Sequence, residues 1–354
     1  MDELEQLVTQ LTVLREQIVS GCEDHWILMV PSSIGELATV CALLPAFRAH
    51  HGGKICIVAD RGKSHVLKLF ADQIDTVKFV PLASMRALST YRAIDPLAFR
   101  VGVPQNLWIN QNGDGRGLAL HDLFISDPSR GGLKFLDMYR YAMRLPWDAP
   151  ISRGNINVDL SNESKRYADF YDIDSGNSVI FFTGNNTNKP APALFWNDLS
   201  RKFNSAGKKV FFNLNGGLFQ PNGLDIEGTQ IHLSTSLAIG VCEIAGHMVS
   251  CSNGLLILAL LTDTNFDLDI LLTDGHDPTG VGNFIPLNPR AGSISSIGGP
   301  EMLQFTNRRY REWTVTEGSG NLLDLTNSIS SPADDAHQSF DHLGTNSKNA
   351  TALV

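Results

Sequence analysis

No stretch of this 354-residue chain stays apolar for the roughly 18 residues that cross a bilayer, which argues against a membrane-spanning helix. Cysteine is scarce. The five cysteines, Cys22, Cys41, Cys56, Cys242 and Cys251, show no CxxC spacing and mostly sit inside apolar runs. They predict buried free thiols in a reducing compartment rather than a disulfide framework. The ten histidines include no HExxH, and His50-His51 sits at a helix end beside glycine, so no metal site is expected. Asp263, Asp267, Asp269, Asp274 and Asp277 cluster without the glycine and glutamate of a calcium loop, and Asp274 to Asp277 reads as an acidic turn. No GxGxxG follows Val30 or Phe182, which argues against a nicotinamide dinucleotide. Gly113-Asp-Gly-Arg-Gly117 lacks the lysine and hydroxyl of a phosphate-binding P-loop, and Ser32-Ser33 lacks a GxSxG frame. Basic charge is also short. A net charge of −9 argues against nucleic acid as the main partner. Met1 to Glu5 is acidic, so no signal peptide is expected, and the chain is assigned to the cytoplasm.

What the chain does have is strand–helix alternation, twice. Leu4, Leu7, Val8, Leu11, Leu14 and Ile18 form an apolar stripe on a helix within residues 1–21, which either packs on its own domain or pairs with a second copy. Strands are predicted at Trp26–Val30, Lys54–Val58 and Thr76–Val80, with helices at Leu37–Arg48 and Ser64–Phe70, and His51-Gly-Gly53 as a glycine stop. The pattern loosens after Pro81, a helix within 132–145 follows, and Leu145-Pro-Trp-Asp-Ala-Pro150 with the polar stretch to Asn157 reads as a linker. Beyond it a helix is read at Asn162–Tyr171, then the strand Val179–Phe182, a helix carrying Leu194, Phe195, Leu199 and Phe203, and the strand Val210–Leu214. Short strands at Gly228–His232, Met248–Cys251 and Asp269–Thr273 alternate with helices at Leu237–Ala245 and from Leu255. Such alternation predicts parallel sheets covered on both faces. We therefore expect two α/β domains, 22–150 and 151–325, facing a central cleft, and a disordered tail at 326–354.

The loop Thr183-Gly-Asn-Asn-Thr-Asn-Lys189 follows the strand Val179–Phe182 and precedes the next helix, where backbone N–H groups and one ammonium can face an anion. The run from Val179 to Leu261 resembles the donor-binding half of GT-B glycosyltransferases related to bacterial lipopolysaccharide heptosyltransferases. Thr183-Gly184-Asn185-Asn186, Lys189 and Leu194-Phe195-Trp196 carry the likeness, with Leu233-Ser-Thr-Ser236, Cys242-Glu-Ile-Ala-Gly246 and Ser252-Asn-Gly-Leu255. In the amino half, Ile34-Gly35-Glu36 with Pro45, and Leu136-Asp-Met-Tyr-Arg140 with Leu145-Pro146, are similar to the same family. The resemblance covers most of residues 26–275. It implies two Rossmann-like domains and metal-independent transfer of a sugar from a nucleotide-sugar donor, the co-substrate, to a cell-surface glycan or glycolipid, with no separate cofactor.

On that resemblance Glu36 is the candidate general base, since a carboxylate at a strand–helix turn can accept the proton of an attacking hydroxyl. It equally suits the first turn of a helix. Ser33 and Gly35 form the acceptor-side turn. Thr183, Gly184, Asn185, Lys189, Ser236, Ser252, Asn253 and Gly254 are the donor-side candidates, stabilising the leaving diphosphate without a metal. Asn253 and Gly254 also suit an ordinary turn because both tolerate positive φ. Two departures stand out: Ser252 replaces an arginine that relatives place near the donor phosphates, and Glu36 replaces their aspartate. The lost arginine leaves two alternatives open, a non-catalytic GT-B-like assembly protein that dimerises through the first helix, and a nucleotide-sugar epimerase. Peripheral contact with a membrane is a further open partner reading.

Overall fold

The computed structural model describes residues 3–31, 33–94, 107–109, 134–184, 189–214, 225–273, 275–276, 285–286, 297–302 and 309–315. The loop at 113–117, the acidic turn at Asp274 and Asp277, the tail 326–354 and Asn185 lie outside these residues. The amino half builds a four-stranded parallel sheet from β1 (His25–Met29), β2 (Lys54–Ala59), β3 (Thr76–Phe79) and β4 (Leu107–Ile109), in the order β3-β2-β1-β4. The apolar runs of β1 and β2 are buried on both faces, as central parallel strands require. Edge strand β3 instead alternates, leaving Val77 and Phe79 exposed.

Helix α1 (Glu3–Val19) packs on its own sheet. Leu11 and Ile18 are buried with Ile27, Met29, Cys56 and Val58. Lys78 on β3 donates its ammonium to the last carbonyls of the helix, Gln17 at 3.1 Å and Ile18 at 2.8 Å, and to Ser20, complementing the negative end of the helix dipole. Helices α2 (Ile34–His51), α3 (Ser64–Leu69), α4 (Leu82–Ile94) and α5 (Phe135–Ala142) complete this half. The glycine stop after α2 is present, with φ of 71° at Gly52 and 79° at Gly53. Helix α4 and strand β4 fall where the sequence pattern loosened.

The second half runs α6 (Val158–Tyr171), β5 (Ser178–Phe182), α7 (Ala193–Ser205), β6 (Lys209–Asn213), β7 (Thr229–Ile231), α8 (Thr235–Ala245), β8 (His247–Cys251), α9 (Gly254–Leu260) and β9 (Asp267–Thr273). The hairpin β10 (Gly275–His276) and β11 (Ile285–Pro286) and the strand β12 (Tyr310–Val315) follow. Its parallel sheet has six strands in the order β12-β9-β8-β5-β6-β7. The two sheets are separate.

The two halves share part of their apolar core. One apolar cluster runs from Leu28, Leu37 and Phe47 through Leu256 and Leu258 to Ile180 and Ile270. The linker stitches the halves together. Ser152 N–H and Oγ donate to Ala42 O, Gly154 N–H donates to Leu261 O, and Asp263 N–H donates to Gly154 O. A returning segment adds to this: Glu301 accepts from the buried Arg140 guanidinium on α5 at 2.5 Å, and Met302 O accepts from Arg153 at 2.9 Å.

Near the amino ends of β8, β9 and β12 lies a buried charge cluster. Asp269, 2% exposed, accepts from His247 Nε2 at 2.7 Å, from Arg311 at 2.8 and 2.9 Å, and from Trp313 Nε1 at 2.9 Å. Burial alone would raise its pKa, but His247 and Arg311 outweigh burial and hold it at about 2. The carboxylate is thus charged, hydrogen-bonded and paired, as a buried ion must be.

Candidate functional site

In open parallel sheets, ligands bind beyond the carboxyl ends of the strands, where the strand order reverses. In the second sheet the chain builds outward through β6 and β7 on one side of β5, and through β8, β9 and β12 on the other, so the reversal lies between β5 and β8. Thr183 and Gly184 directly follow β5, and Ser252 and Asn253 directly follow β8. In the first sheet β1 is flanked by β2 and β4, and its carboxyl end leads through Val30 and Pro31 to Ser33 and α2. Ser33, Gly35 and Glu36 therefore stand at one reversal, and Thr183, Gly184, Ser252, Asn253 and Gly254 at the other.

The two reversals touch. A Cβ placed on Gly35 would lie 3.1 Å from Gly254 Cα and 2.8 Å from Ile257 Cδ1, and one on Gly254 would lie 3.0 Å from Gly35 N. Neither glycine is there for positive φ. Asn253 is extended, at φ −158°, and Gly254 opens a helix, so positive-φ turn chemistry is not what selects these two residues. Close backbone approach selects the glycine. Asn253 is the cap of α9: its Oδ1 accepts from Leu256 N–H at 3.0 Å, and its Nδ2 donates to Ser250 Oγ at 3.4 Å.

Glu36 sits in the first turn of α2, and both its oxygens are engaged. Oε2 accepts from Ser33 N–H at 2.5 Å, closing a reciprocal capping box in which Glu36 N–H donates back to Ser33 Oγ at 3.5 Å. Oε1 accepts from Tyr139 OH at 3.0 Å. Lys63, half-buried in the turn between β2 and α3, lies within electrostatic reach of the same carboxylate. Burial pushes its ammonium down, and the charges of Glu36 and Asp60 oppose that. The helix-start role is thus filled by the residue read as the candidate base.

On the donor side Thr183 and Gly184 are buried and Lys189 is half-buried. Lys189 N–H donates to Gly275 O at 2.8 Å, which ties the loop after β5 to the hairpin beyond β9. Ser252 is buried, with its N–H on Leu271 O. Ser236 is buried inside the first turn of α8, while Ser234 caps that helix by accepting from Leu237 N–H at 3.4 Å. Neighbouring Cys251 is no nucleophile, because burial pushes its thiol up to about 11. The sequence reading gave no part in the site to Tyr139, although it lies within the Leu136–Arg140 motif, nor to Lys63. Tyr139 lies 103 residues from its partner, and no local pattern joins them; Lys63 follows a strand end, which was the available signal.

No family model and no curated protein matches the chain. Among solved structures, the glycosyl transferase of family 9 from Veillonella parvula superposes with a TM-score of 0.51 at 10% identity, covering 87% of this chain and 92% of that one. The ADP-heptose lipopolysaccharide heptosyltransferase II of E. coli gives 0.52 at 14% identity, covering 85% and 95%. The chain has a heptosyltransferase-like GT-B fold. At such identities the likeness is one of fold, and it spans both halves of the chain. Within the GT-B frame, the contact between Gly35 and Gly254 joins the amino-half turn to the carboxyl-half turn. No helix among the described residues is long and apolar enough to cross a membrane.

Proposed function

We propose that the protein is a glycosyltransferase that moves a sugar from a nucleoside-diphosphate sugar to a hydroxyl of a glycan or glycolipid, without a metal, in the cytoplasm. One observation carries this reading: the strand-order reversals of both sheets meet at Gly35 and Gly254, so the turn that carries Glu36 packs against the turn that follows β8. The acceptor oxygen attacks the anomeric carbon and forms the new glycosidic bond. Its proton passes to Glu36. The bond from that carbon to the diphosphate oxygen breaks, and the leaving diphosphate carries away the electron pair. Lys189, Thr183, Asn185 and the turn at Ser252–Gly254 are the groups on this chain that would meet its charge. The E. coli neighbour is named for ADP-heptose, which makes ADP-sugars the first donors to try.

A non-catalytic reading has one observation in its favour: the Glu36 carboxylate already serves the capping box. Glu36→Gln separates the two. As general base, Glu36 contributes about 10²–10⁴-fold, so turnover falls by that order while donor affinity changes little. Lys189→Ala instead raises the donor KM, because an ammonium beside the diphosphate acts in the ground state too. Turnover of Glu36→Gln within about threefold of the parent removes Glu36 from the mechanism.

A further inference from the structure

We propose that Tyr139 is the positioning residue for the Glu36 carboxylate, an assignment that rests on the reading of Glu36 as proton acceptor. A glutamate side chain has three rotatable torsions, and ordering it costs rotamer freedom. The capping box restrains Oε2 through the Ser33 N–H, yet one bond leaves the carboxylate plane free to turn about it. The Tyr139 hydroxyl supplies the second point of attachment, at 3.0 Å from Oε1. Two fixed oxygens define the plane. A carboxylate offers about four lone-pair sites, so two bonds leave acceptor capacity for the hydroxyl of a substrate.

The phenol is held by a rigid element. Tyr139 is 2% exposed, and the ring of Phe135 lies tilted against it at 5.0 Å. The next residue, Arg140, is 3% exposed and anchors α5 through bonds to Ala149 O at 3.0 and 2.6 Å, Asp137 at 3.0 Å and Glu301 at 2.5 Å. Glu301 belongs to the segment returning from the carboxyl half, so the position of the tyrosine is set by both halves of the chain. A base fixed before its substrate arrives avoids the loss that misplacement brings, which reaches about 10²-fold for 1 Å. Tyr139 acts through Glu36 and is not itself a proton donor to the reacting atoms.

The bland alternative is that a buried tyrosine hydroxyl needs a partner and Glu36 happens to be it. Tyr139→Phe removes one oxygen and tells the two apart. In the full-length protein, turnover is followed with ADP-heptose, UDP- and GDP-linked sugars and a lipooligosaccharide acceptor, alongside thermal melting. Positioning predicts a fall in kcat of about tenfold, both KM values within twofold, and no further fall when Tyr139→Phe is added to Glu36→Gln. If Glu36→Gln is impaired but Tyr139→Phe keeps kcat within twofold, or lowers it equally in both backgrounds, the positioning role is wrong and the Glu36 reading stands. If Glu36→Gln turns over normally, or no donor supports transfer, the parent reading fails and this inference falls with it.

Discussion

Replacing Asp269 by asparagine keeps the shape of a buried side chain and removes its charge. In the native protein the carboxylate faces His247, the bidentate Arg311 fork and the Trp313 indole. Its pKa falls from the ordinary 3.8 to about 2, a difference that corresponds to about 2 kcal/mol of preferential stabilisation of the charged form. The substitution also leaves the Arg311 guanidinium without its counter-charge, and breaking a buried pair costs about 3–5 kcal/mol when both partners are fully buried. Arg311 keeps a side chain 36% exposed, so water recovers part of that loss. We expect Asp269→Asn to lower the unfolding free energy by about 2–4 kcal/mol at pH 7, read from urea titrations by circular dichroism. The pH dependence has a definite sign. Because the native pKa is depressed, the stabilisation is fully present above the unfolded value near 3.8 and is lost as pH falls through about 2. The gap between parent and variant should therefore narrow below pH 4 and close near pH 2. Nucleotide binding should not change, since the cluster lies near the amino ends of the strands. A difference below about 0.5 kcal/mol at pH 7, or one unchanged down to pH 2, refutes this account of the cluster.

Two further expectations concern glycines. A Cβ on Gly240 would sit 2.1 Å from Ser164 Oγ and 3.0 Å from Ser164 Cβ, where α8 crosses α6, so Gly240→Ala costs about 1–3 kcal/mol. Adding Ser164→Ala should restore part of that loss in a thermal melt, and a pair that simply adds contradicts the clash. Gly35→Ala forces the α2 and α9 turns apart, because Gly254 Cα at 3.1 Å is backbone. Turnover should fall about tenfold or more, and unchanged kinetics would show that this contact does not matter to the site.

The alternation of strands and helices was legible wherever strands are buried on both faces, as in Ile55–Ala59 and Val179–Phe182, because such strands read as apolar runs. Strand β12 was not. Tyr310-Arg-Glu-Trp-Thr-Val315 mixes charges with aromatics, and its Arg311 and Trp313 make sense only once Asp269 stands beside them. Glu36 was readable as a turn carboxylate, and its first-turn reading is met by the capping box on α2. Tyr139 was read within the Leu136–Arg140 motif, but its bond to Glu36 was not legible because the two are remote in sequence. Ser234, which stands immediately before the helix, caps α8. The merging of the two apolar cores through α2 and α9 was also hidden, since a helix stripe shows that it is buried and not against what.

The central claim is that a nucleoside diphosphate binds where the second sheet reverses its strand order. Hydrogen exchange of the full-length protein, with and without ADP, UDP, GDP or CMP in turn, tests it most directly. For at least one nucleotide the account predicts slowed exchange at 178–184, 189 and 250–256, accompanied by the α2 turn at 33–37. No protection with any nucleotide, or protection confined to α6 and the amino ends of the strands, would contradict it.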